Sequence, residues 1–253
     1  MHSPQASAIV TNLLALFLVV VSPVWDFFET RTLRAHPSGA ARLHYYRQTA
    51  VWLWSAAGVA CWAQGFSNLV TLRGLGIGTV WLDQHRWAWY ALAALLVLIV
   101  VVQLILPVVQ VAIKYRDRQY LEPKQLESLR SFLPAGTTGR RWFAMLSVTA
   151  GFTEELLFRG FLLRYLHTPP LHLPFAWAAL ISALVFGTHH LYQGRSGFIS
   201  TTIGGLIFTA ILLLTGSLWA GMVYHAAADL SLLLYWRPRS AAEPSEQSAG
   251  GAA

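Results

Sequence analysis

Long apolar stretches separated by short polar ones dominate the chain. A membrane-spanning helix needs about 20 mostly apolar residues, and seven stretches meet that requirement. They are residues 8–28, 49–70, 87–113, 142–166, 174–192, 197–215 and 217–236. The pattern predicts an all-α fold, a polytopic membrane helical bundle of about seven transmembrane helices. We expect these helices to form a single membrane domain over residues 1–236.

The two ends of the chain and one loop need separate interpretation. A signal peptide has a basic leader and a small-residue cleavage site, and stretch 8–28 has neither. Pro23 and the aromatic residues after it favour a retained helix with an interfacial end. Residues 237–253 are rich in Ala, Ser, Glu and Gly, which predicts a disordered cytoplasmic tail. Apolar positions among charged ones at 121–133 predict a short amphipathic helix on the membrane surface.

Composition supports the membrane interpretation. Hydrophobic residues make up 55% of the chain and charged residues 11%, whereas a soluble domain has about 25% charged residues. The net charge of +7 comes from basic residues in the loops, which contact lipid headgroups. We therefore expect the lipid bilayer as a partner and no nucleic acid. Cys61 is the only cysteine, which excludes an intramolecular disulfide and a cysteine metal site.

Lysine and arginine are unevenly divided between the two sides of the predicted bundle. They concentrate in the loops 29–48 and 114–141 and in the tail, and few lie in the other loops. By the positive-inside rule, this predicts an N-terminus outside and a C-terminus in the cytoplasm.

Two acidic residues and one arginine interrupt the stretch 142–166. A carboxylate inside a membrane costs at least a few kcal/mol, so Glu154 and Glu155 need an explanation. Glu155 and Arg159 are four residues apart and can form an ion pair on one helix face. Glu154 lies about 100° away, and its free carboxylate is a candidate base for activating water. The alternative is a buried salt bridge that only stabilises helix packing.

Histidines occur in two later stretches. Phe186 and His190 are four residues apart, so that the two rings can pack together, and Gly187 between them permits close helix approach. His189 points to another face, which favours a packing or interfacial role. The alternative for His190 itself is an interfacial anchor.

His225 and Asp229 form a third pair with the same spacing. A histidine and a carboxylate within a membrane need a polar partner or a wet cavity, and a mutual hydrogen bond would also satisfy both groups. Three such pairs in three separate stretches are poorly explained by three independent packing roles. We therefore predict that the pairs converge on one cavity.

Taken in chain order, these pairs resemble a known set of motifs. Glu154-Glu155-x-x-x-Arg159, Phe186-x-x-x-His190 and His225-x-x-x-Asp229 are similar to those of the CAAX protease and bacteriocin-processing (CPBP, or Abi) intramembrane proteases. The flanks 153–160 and 216–220 are similar too. The resemblance covers about residues 140–236, the motif-bearing protease core. It implies a glutamate-dependent intramembrane endopeptidase, which we place in a bacterial inner (cell) membrane.

The resemblance also implies a role for each residue. Glu154, with His190, would activate the attacking water, while Glu155 and Arg159 hold the motif in place. His225 with Asp229 would support the oxyanion or orient the substrate. Members of the family often have Asn at the position of Asp229. Because an ionised Asp cannot donate to an oxyanion, Asp229 is expected to orient His225 or to be protonated.

Metal dependence and substrate are left open at this stage. We favour a mechanism without metal or other cofactor, because the His-Glu-x-x-His pair of many zinc proteases is absent. In the alternative, Glu154, His190 and His225 bind zinc with water as the fourth ligand. The expected partner is a peptide or membrane-protein substrate of unspecified identity. The competing functions are a non-catalytic bacteriocin-immunity or interaction protein of the same fold and, less favoured, a small transporter with a Glu-His relay.

Overall fold

The structure is a computed structural model that describes residues 4–72, 86–106, 109, 113 and 129–236. The predicted tail at 237–253 lies outside the described residues, as does most of the predicted amphipathic helix at 121–133. The third predicted stretch, 87–113, is described in part.

The described chain is helical, and the predicted all-α fold is confirmed. Its α-helices are α1 (Pro4–Leu16), α2 (Ser22–Ala35), α3 (Gly39–Gln64), α4 (Phe66–Leu69), α5 (Arg86–Val100), α6 (Gly136–Glu154), α7 (Leu163–His167), α8 (Phe175–Thr188), α9 (Gly194–Thr215) and α10 (Trp219–Tyr235). Three segments are π-helical, namely Phe17–Val21, Val101–Ile105 and Glu155–Leu162, and Leu191–Gln193 is a 3₁₀ turn. Each predicted stretch is therefore helical over most of its described residues, although several, such as 142–166, are divided among consecutive helical elements.

Helix length and hydropathy identify fewer membrane spans than the sequence predicted. Among the described residues, two helices are long and apolar enough to cross a membrane by themselves, Gln5–Ala35 and Leu191–Thr215. The shorter apolar helices are Trp89–Ile99 and Phe175–Thr188. The count of seven transmembrane helices is therefore not confirmed and stays a prediction.

The outer surface of the bundle is apolar. Val51 on α3, Trp177 on α8 and Val223 on α10 expose 67%, 60% and 61% of their surface. Large apolar side chains this exposed on several helices would be poorly solvated by water, whereas lipid tails accommodate them. The exterior therefore matches a membrane protein.

A glycine turn between α9 and α10 joins the two halves of the chain. Gly216 ends α9 with a left-handed backbone (φ 68°), and its amide bonds to the carbonyl of Leu212. The turn then pairs with the segment after α4, where Leu72 donates to Gly216 O and Leu218 donates to Val70 O. This pairing fixes the start of α10 against the N-terminal half.

Helices α6 and α10 make a close contact that holds the later site together. A Cβ atom added to Gly151 would lie 2.8 Å from the Cα of Ala226, so that only glycine fits there. Arg140 at the start of α6 donates to the carbonyls of Leu233 and Trp236 at the end of α10. The two helices are thus tied at a backbone contact and at one end.

Helices α8 and α9 also approach closely, as the sequence predicted from Gly187. A Cβ atom at Gly187 would collide with the Thr202 hydroxyl and lie 3.0 Å from the Phe198 carbonyl oxygen. Both partners belong to α9. This contact places the end of α8, which carries His190, against the bundle.

Candidate active site

A π-helical segment carries the first motif. The sequence suggested one continuous α-helix over 142–166, but α6 ends at Glu154 and Glu155–Leu162 forms a π-helix. All eight residues of this segment are buried. A π-helix widens the helical turn and is frequent at functional sites. In this protein the helix changes from α to π between Glu154 and Glu155.

Glu155 and Arg159 form the ion pair that the sequence predicted. Arg159 Nη1 donates to Glu155 Oε1 at 3.1 Å, and both side chains are about 1% exposed. The guanidinium lies between two aromatic rings, 4.2 Å from the centroid of Phe186 and 5.0 Å from that of Phe208. These rings supply cation–π contacts where water is excluded.

His225 joins this pair from α10. Its Nδ1 donates to Glu155 Oε1 at 3.1 Å, and its ring stacks on Phe208 with centroids 4.7 Å apart. Because Nδ1 is held by a carboxylate, Nε2 is turned towards Glu154 Oε2 at 3.8 Å and Asp229 Oδ2 at 3.9 Å. Both distances exceed a hydrogen bond. The residue that holds His225 by a direct hydrogen bond is therefore Glu155, whereas the sequence suggested Asp229 for orienting it.

His190 has a defined orientation at the end of α8. Its Nδ1 lies 3.0 Å from the Phe186 carbonyl oxygen, and since a carbonyl only accepts, Nδ1 carries the proton. The lone pair is then on Nε2. The Phe186 and His190 rings pack together with centroids 4.8 Å apart, as the sequence predicted.

His189 has the packing role that the sequence predicted. It is 8% exposed, its Nδ1 donates to the Val185 carbonyl at 2.9 Å, and its Nε2 lies 2.6 Å from the Ser22 hydroxyl. Both ring nitrogens are therefore used, and the side chain connects α8 to α2.

One cavity collects three of the predicted site residues. Glu154, His190 and Asp229 line a space of about 130 Å³, which has room for a few water molecules. Glu154 Oε2 is buried and has no hydrogen-bond partner among the described residues. With His225 3.8 Å from Glu154, the predicted convergence of the three pairs is present. The cavity thus borders the Glu154 side chain, whose Oε2 atom is itself buried and makes no hydrogen bond within the described residues.

The same cavity includes polar residues that the sequence did not single out. Tyr45, Tyr46 and Thr49 come from α3, and Tyr192 and Gln193 from the 3₁₀ turn after His190. No motif marks the α3 residues, which reach the cavity only through tertiary packing. The position of Tyr192 two residues after His190 was the one available signal for that side chain.

A larger apolar cavity adjoins the site. It measures about 820 Å³, lies between α2 and α3, and is lined by residues such as Val24 and Phe28. It contains no motif residue, but Tyr45 lines both this cavity and the smaller one. A single tyrosine side chain thus forms part of the wall of both spaces.

The described residues do not form a ready metal site. Within them, no three His, Cys, Asp or Glu side chains are grouped so as to hold one metal ion. The set proposed for zinc, Glu154, His190 and His225, is not grouped in this way within the described residues. Nε2 of His225 lies 3.8 Å from Glu154 Oε2.

A comparison with known proteins finds a family match for the segment that contains the candidate site. Residues 137–231 match a family described as Rce1-like, type II CAAX prenyl endopeptidase. This segment contains all three motif pairs. The matched family is part of the CPBP family, which confirms the resemblance seen in the motifs. The family is one of membrane-embedded proteases, which agrees with the apolar exterior of the bundle. No curated protein and no solved structure matches the chain.

Proposed function

We propose that the protein is an intramembrane endopeptidase that hydrolyses peptide bonds of membrane-associated proteins or peptides, using water activated by Glu154. The observation that carries the proposal is that Glu154, whose Oε2 makes no hydrogen bond within the described residues, lines a cavity that can hold water. A desolvated carboxylate next to water is a suitable general base. The family of residues 137–231 supports proteolysis as the reaction class.

The chemistry follows from the groups around the cavity. Glu154 takes a proton from water while the water oxygen forms a bond to the carbonyl carbon of the substrate. Glu154 then returns that proton to the amide nitrogen as the C–N bond breaks, so that the carboxylate is regenerated. His190 contributes an Nε2 lone pair, which can accept a hydrogen bond from the same water and so orient it. General acid–base catalysis of this kind contributes about 10²- to 10⁴-fold.

Glu155, Arg159 and His225 act as positioning residues in this scheme. The buried Arg159 compensates the charge of Glu155, and Glu155 holds His225 Nδ1. His225 Nε2 is thereby kept near Glu154 and Asp229, where it can contact the substrate carbonyl or the water. We propose that this arrangement works without metal, with zinc bound by Glu154, His190 and His225 as the competing version.

The proposed function also implies a location in the membrane and two kinds of partner. We place the protein in a bacterial inner membrane, and the distribution of Lys and Arg favours an N-terminus outside and a C-terminus in the cytoplasm. The partners would be the bilayer and a peptide or membrane-protein substrate.

The decisive test compares wild type with Glu154→Gln. Purified protein in detergent is incubated with a library of apolar peptides, and products are identified by mass spectrometry. Glutamine keeps the shape of the side chain but cannot take a proton, so we expect cleavage to fall at least about 10²-fold with unchanged folding. Glu29→Gln is the matched control, because Glu29 lies in α2, hydrogen-bonds Trp25 and borders the other cavity.

The outcomes separate the proposal from a binding function. Full activity of Glu154→Gln would overturn the role of Glu154. If wild type cleaves nothing but both proteins protect cells against a peptide toxin equally well, the non-catalytic immunity function is correct. Cleavage by wild type and by Glu29→Gln, but not by Glu154→Gln, supports the endopeptidase.

A further inference from the structure

The proposed hydrolysis requires hydrogen-bond donors for the carbonyl oxygen, and the motifs offer His225 as one of them. When water adds to a peptide carbonyl, the carbonyl oxygen becomes an oxyanion, and a donor aimed at that oxygen supplies much of the catalysis. This inference rests on the proposed function. Because Glu154 and Asp229 accept hydrogen bonds when ionised, a donor in addition to His225 must come from elsewhere on the cavity wall.

Several polar groups on that wall already use their protons. His190 donates from Nδ1 to the Phe186 carbonyl, the Ser147 hydroxyl donates to the Phe143 carbonyl, and the Tyr46 hydroxyl donates to the Phe132 carbonyl. Each proton is held by a backbone oxygen. None of the three groups has a proton left for a substrate.

Tyr192 is arranged differently. Its hydroxyl oxygen accepts from Gln193 Nε2 at 3.1 Å, which leaves the phenolic proton for another acceptor. Among the described residues, none takes that proton. The Tyr192 ring stacks on His190, with centroids 5.9 Å apart and planes inclined by 30°, and contacts Phe132 at 4.6 Å. The phenol is thus held by two rings and oriented by one amide.

The position of Tyr192 also distinguishes it from the other free donors. Tyr192 lines the same cavity as Glu154 and Asp229 and stacks on His190, so its ring lies beside the residue that would orient the water. Tyr45 and Thr49 belong to α3, and Tyr45 also lines the larger cavity.

We propose that the Tyr192 hydroxyl donates a hydrogen bond that stabilises the oxyanion in addition to any contact from His225. As the water oxygen bonds to the carbonyl carbon and Glu154 takes the water proton, the carbonyl π electrons move onto oxygen. Tyr192 donates a hydrogen bond to this oxygen and keeps its proton throughout. When the C–N bond breaks, the electrons return to restore the C=O bond of the product carboxylic acid, which then ionises by releasing its remaining proton to water. Gln193 is a positioning residue that holds the phenol oxygen.

Kinetics of Tyr192→Phe test this role. Phenylalanine keeps the ring contacts and removes only the hydroxyl, so we expect kcat to fall by about 10²-fold with KM little changed. Tyr165→Phe is the matched control. It removes a tyrosine hydroxyl that bonds Asn12 away from the cavity, and its kcat should equal that of wild type.

Two inhibitors separate an oxyanion contact from a general loss of structure. A phosphinic peptide carries an anionic oxygen where the oxyanion forms, and Tyr192→Phe should weaken its binding by the same factor as kcat/KM. A reduced-amide peptide has no oxygen there and should bind both proteins equally. Equal weakening of both inhibitors would assign Tyr192 a structural role and overturn the proposal.

Two kinetic outcomes distinguish a wrong role for Tyr192 from a wrong endopeptidase function. Wild-type cleavage that depends on Glu154 and persists at full kcat in Tyr192→Phe would remove Tyr192 from the mechanism and leave the endopeptidase intact. Absence of wild-type cleavage would remove the endopeptidase, and this inference with it.

Discussion

Removing the Arg159 side chain should destabilise the protein through the charge it leaves behind. In Arg159→Ala, Glu155 is a carboxylate with none of its surface exposed, and His225 Nδ1 is the hydrogen-bond donor that remains for it. Its Oε2 has no partner among the described residues even in the wild type. The aromatic rings of Phe186 and Phe208 also lose the cation that lies between them.

The expected loss is several kcal/mol. Breaking a buried ion pair by removing one partner costs about 3–5 kcal/mol. A desolvated cation–π contact is worth about 2 kcal/mol, but the two figures describe the same side chain and do not simply add. In a chain of this size 1 kcal/mol shifts Tm by about 2–4 °C. A decrease of about 6–20 °C in Tm follows from the ion-pair figure, with lower yield and lower activity.

The single cysteine of the chain offers an assay. Cys61 is partly buried and packs against the main apolar core, so a thiol-reactive dye should label it faster as the protein unfolds. The Tm in detergent is compared among wild type, Arg159→Ala and the double variant Glu155→Gln with Arg159→Met. Gln keeps an acceptor for His225 and Met fills space without charge. Because no unpaired charge remains, the double variant should regain most of the lost Tm.

Two results would refute this reasoning. A Tm for Arg159→Ala within about 2 °C of wild type would mean that Glu155 needs no compensating charge. An equal loss in the single and the double variant would mean that the cost arises from packing of the arginine side chain rather than from the buried charge.

Two further predictions concern helix contact and metal. Gly151→Ala should destabilise the protein by at least about 1–3 kcal/mol, because the added Cβ would press on the Ala226 backbone; thermal unfolding measures this. Gly58→Ala on α3 meets nothing within 4 Å and should stabilise slightly, so similar losses in both would contradict the steric explanation. Activity should survive exhaustive chelation and no stoichiometric zinc should copurify. About one zinc per chain, with activity lost on chelation and restored by zinc, would make Glu154, His190 and His225 ligands instead.

The helices could be predicted from the sequence because apolar runs are a local property. The stretch 142–166, for example, corresponds to α6, the π-helical segment and α7 together. Crossing the membrane is harder to establish. Helix α3 spans 26 residues but includes Arg42 and Arg47, and α10 has only 17 residues. A helix that contains charged residues or is short depends on neighbouring helices to be buried in the bundle. The sequence of one helix does not show which helices those neighbours are.

The site could be predicted only as far as its contacts are local. Residues four apart on one helix must be neighbours, so the Glu155–Arg159 pair and the Phe186–His190 packing followed from spacing alone. The hydrogen bond between Glu155 and His225 joins residues from two helices, and spacing carries no information about it. The π-helical turn at Glu155 was also missed, because no residue type in that segment specifies it. Tyr192 was missed because a lone tyrosine after a motif gives no sign of where its hydroxyl points.

The close contact between Gly151 and Ala226 has a consequence for motion. Glu154 lies one turn after Gly151, and His225 is adjacent to Ala226, so the two catalytic helices touch at the base of the site. Packed backbones of this kind do not separate without losing many contacts at once. Opening for a polypeptide should therefore occur away from this contact, where α2 and α3 border the larger cavity and Tyr45 lines both spaces. A slow conformational step in turnover should therefore involve α2 and α3. Glu154 and His225 should remain fixed relative to each other during that step.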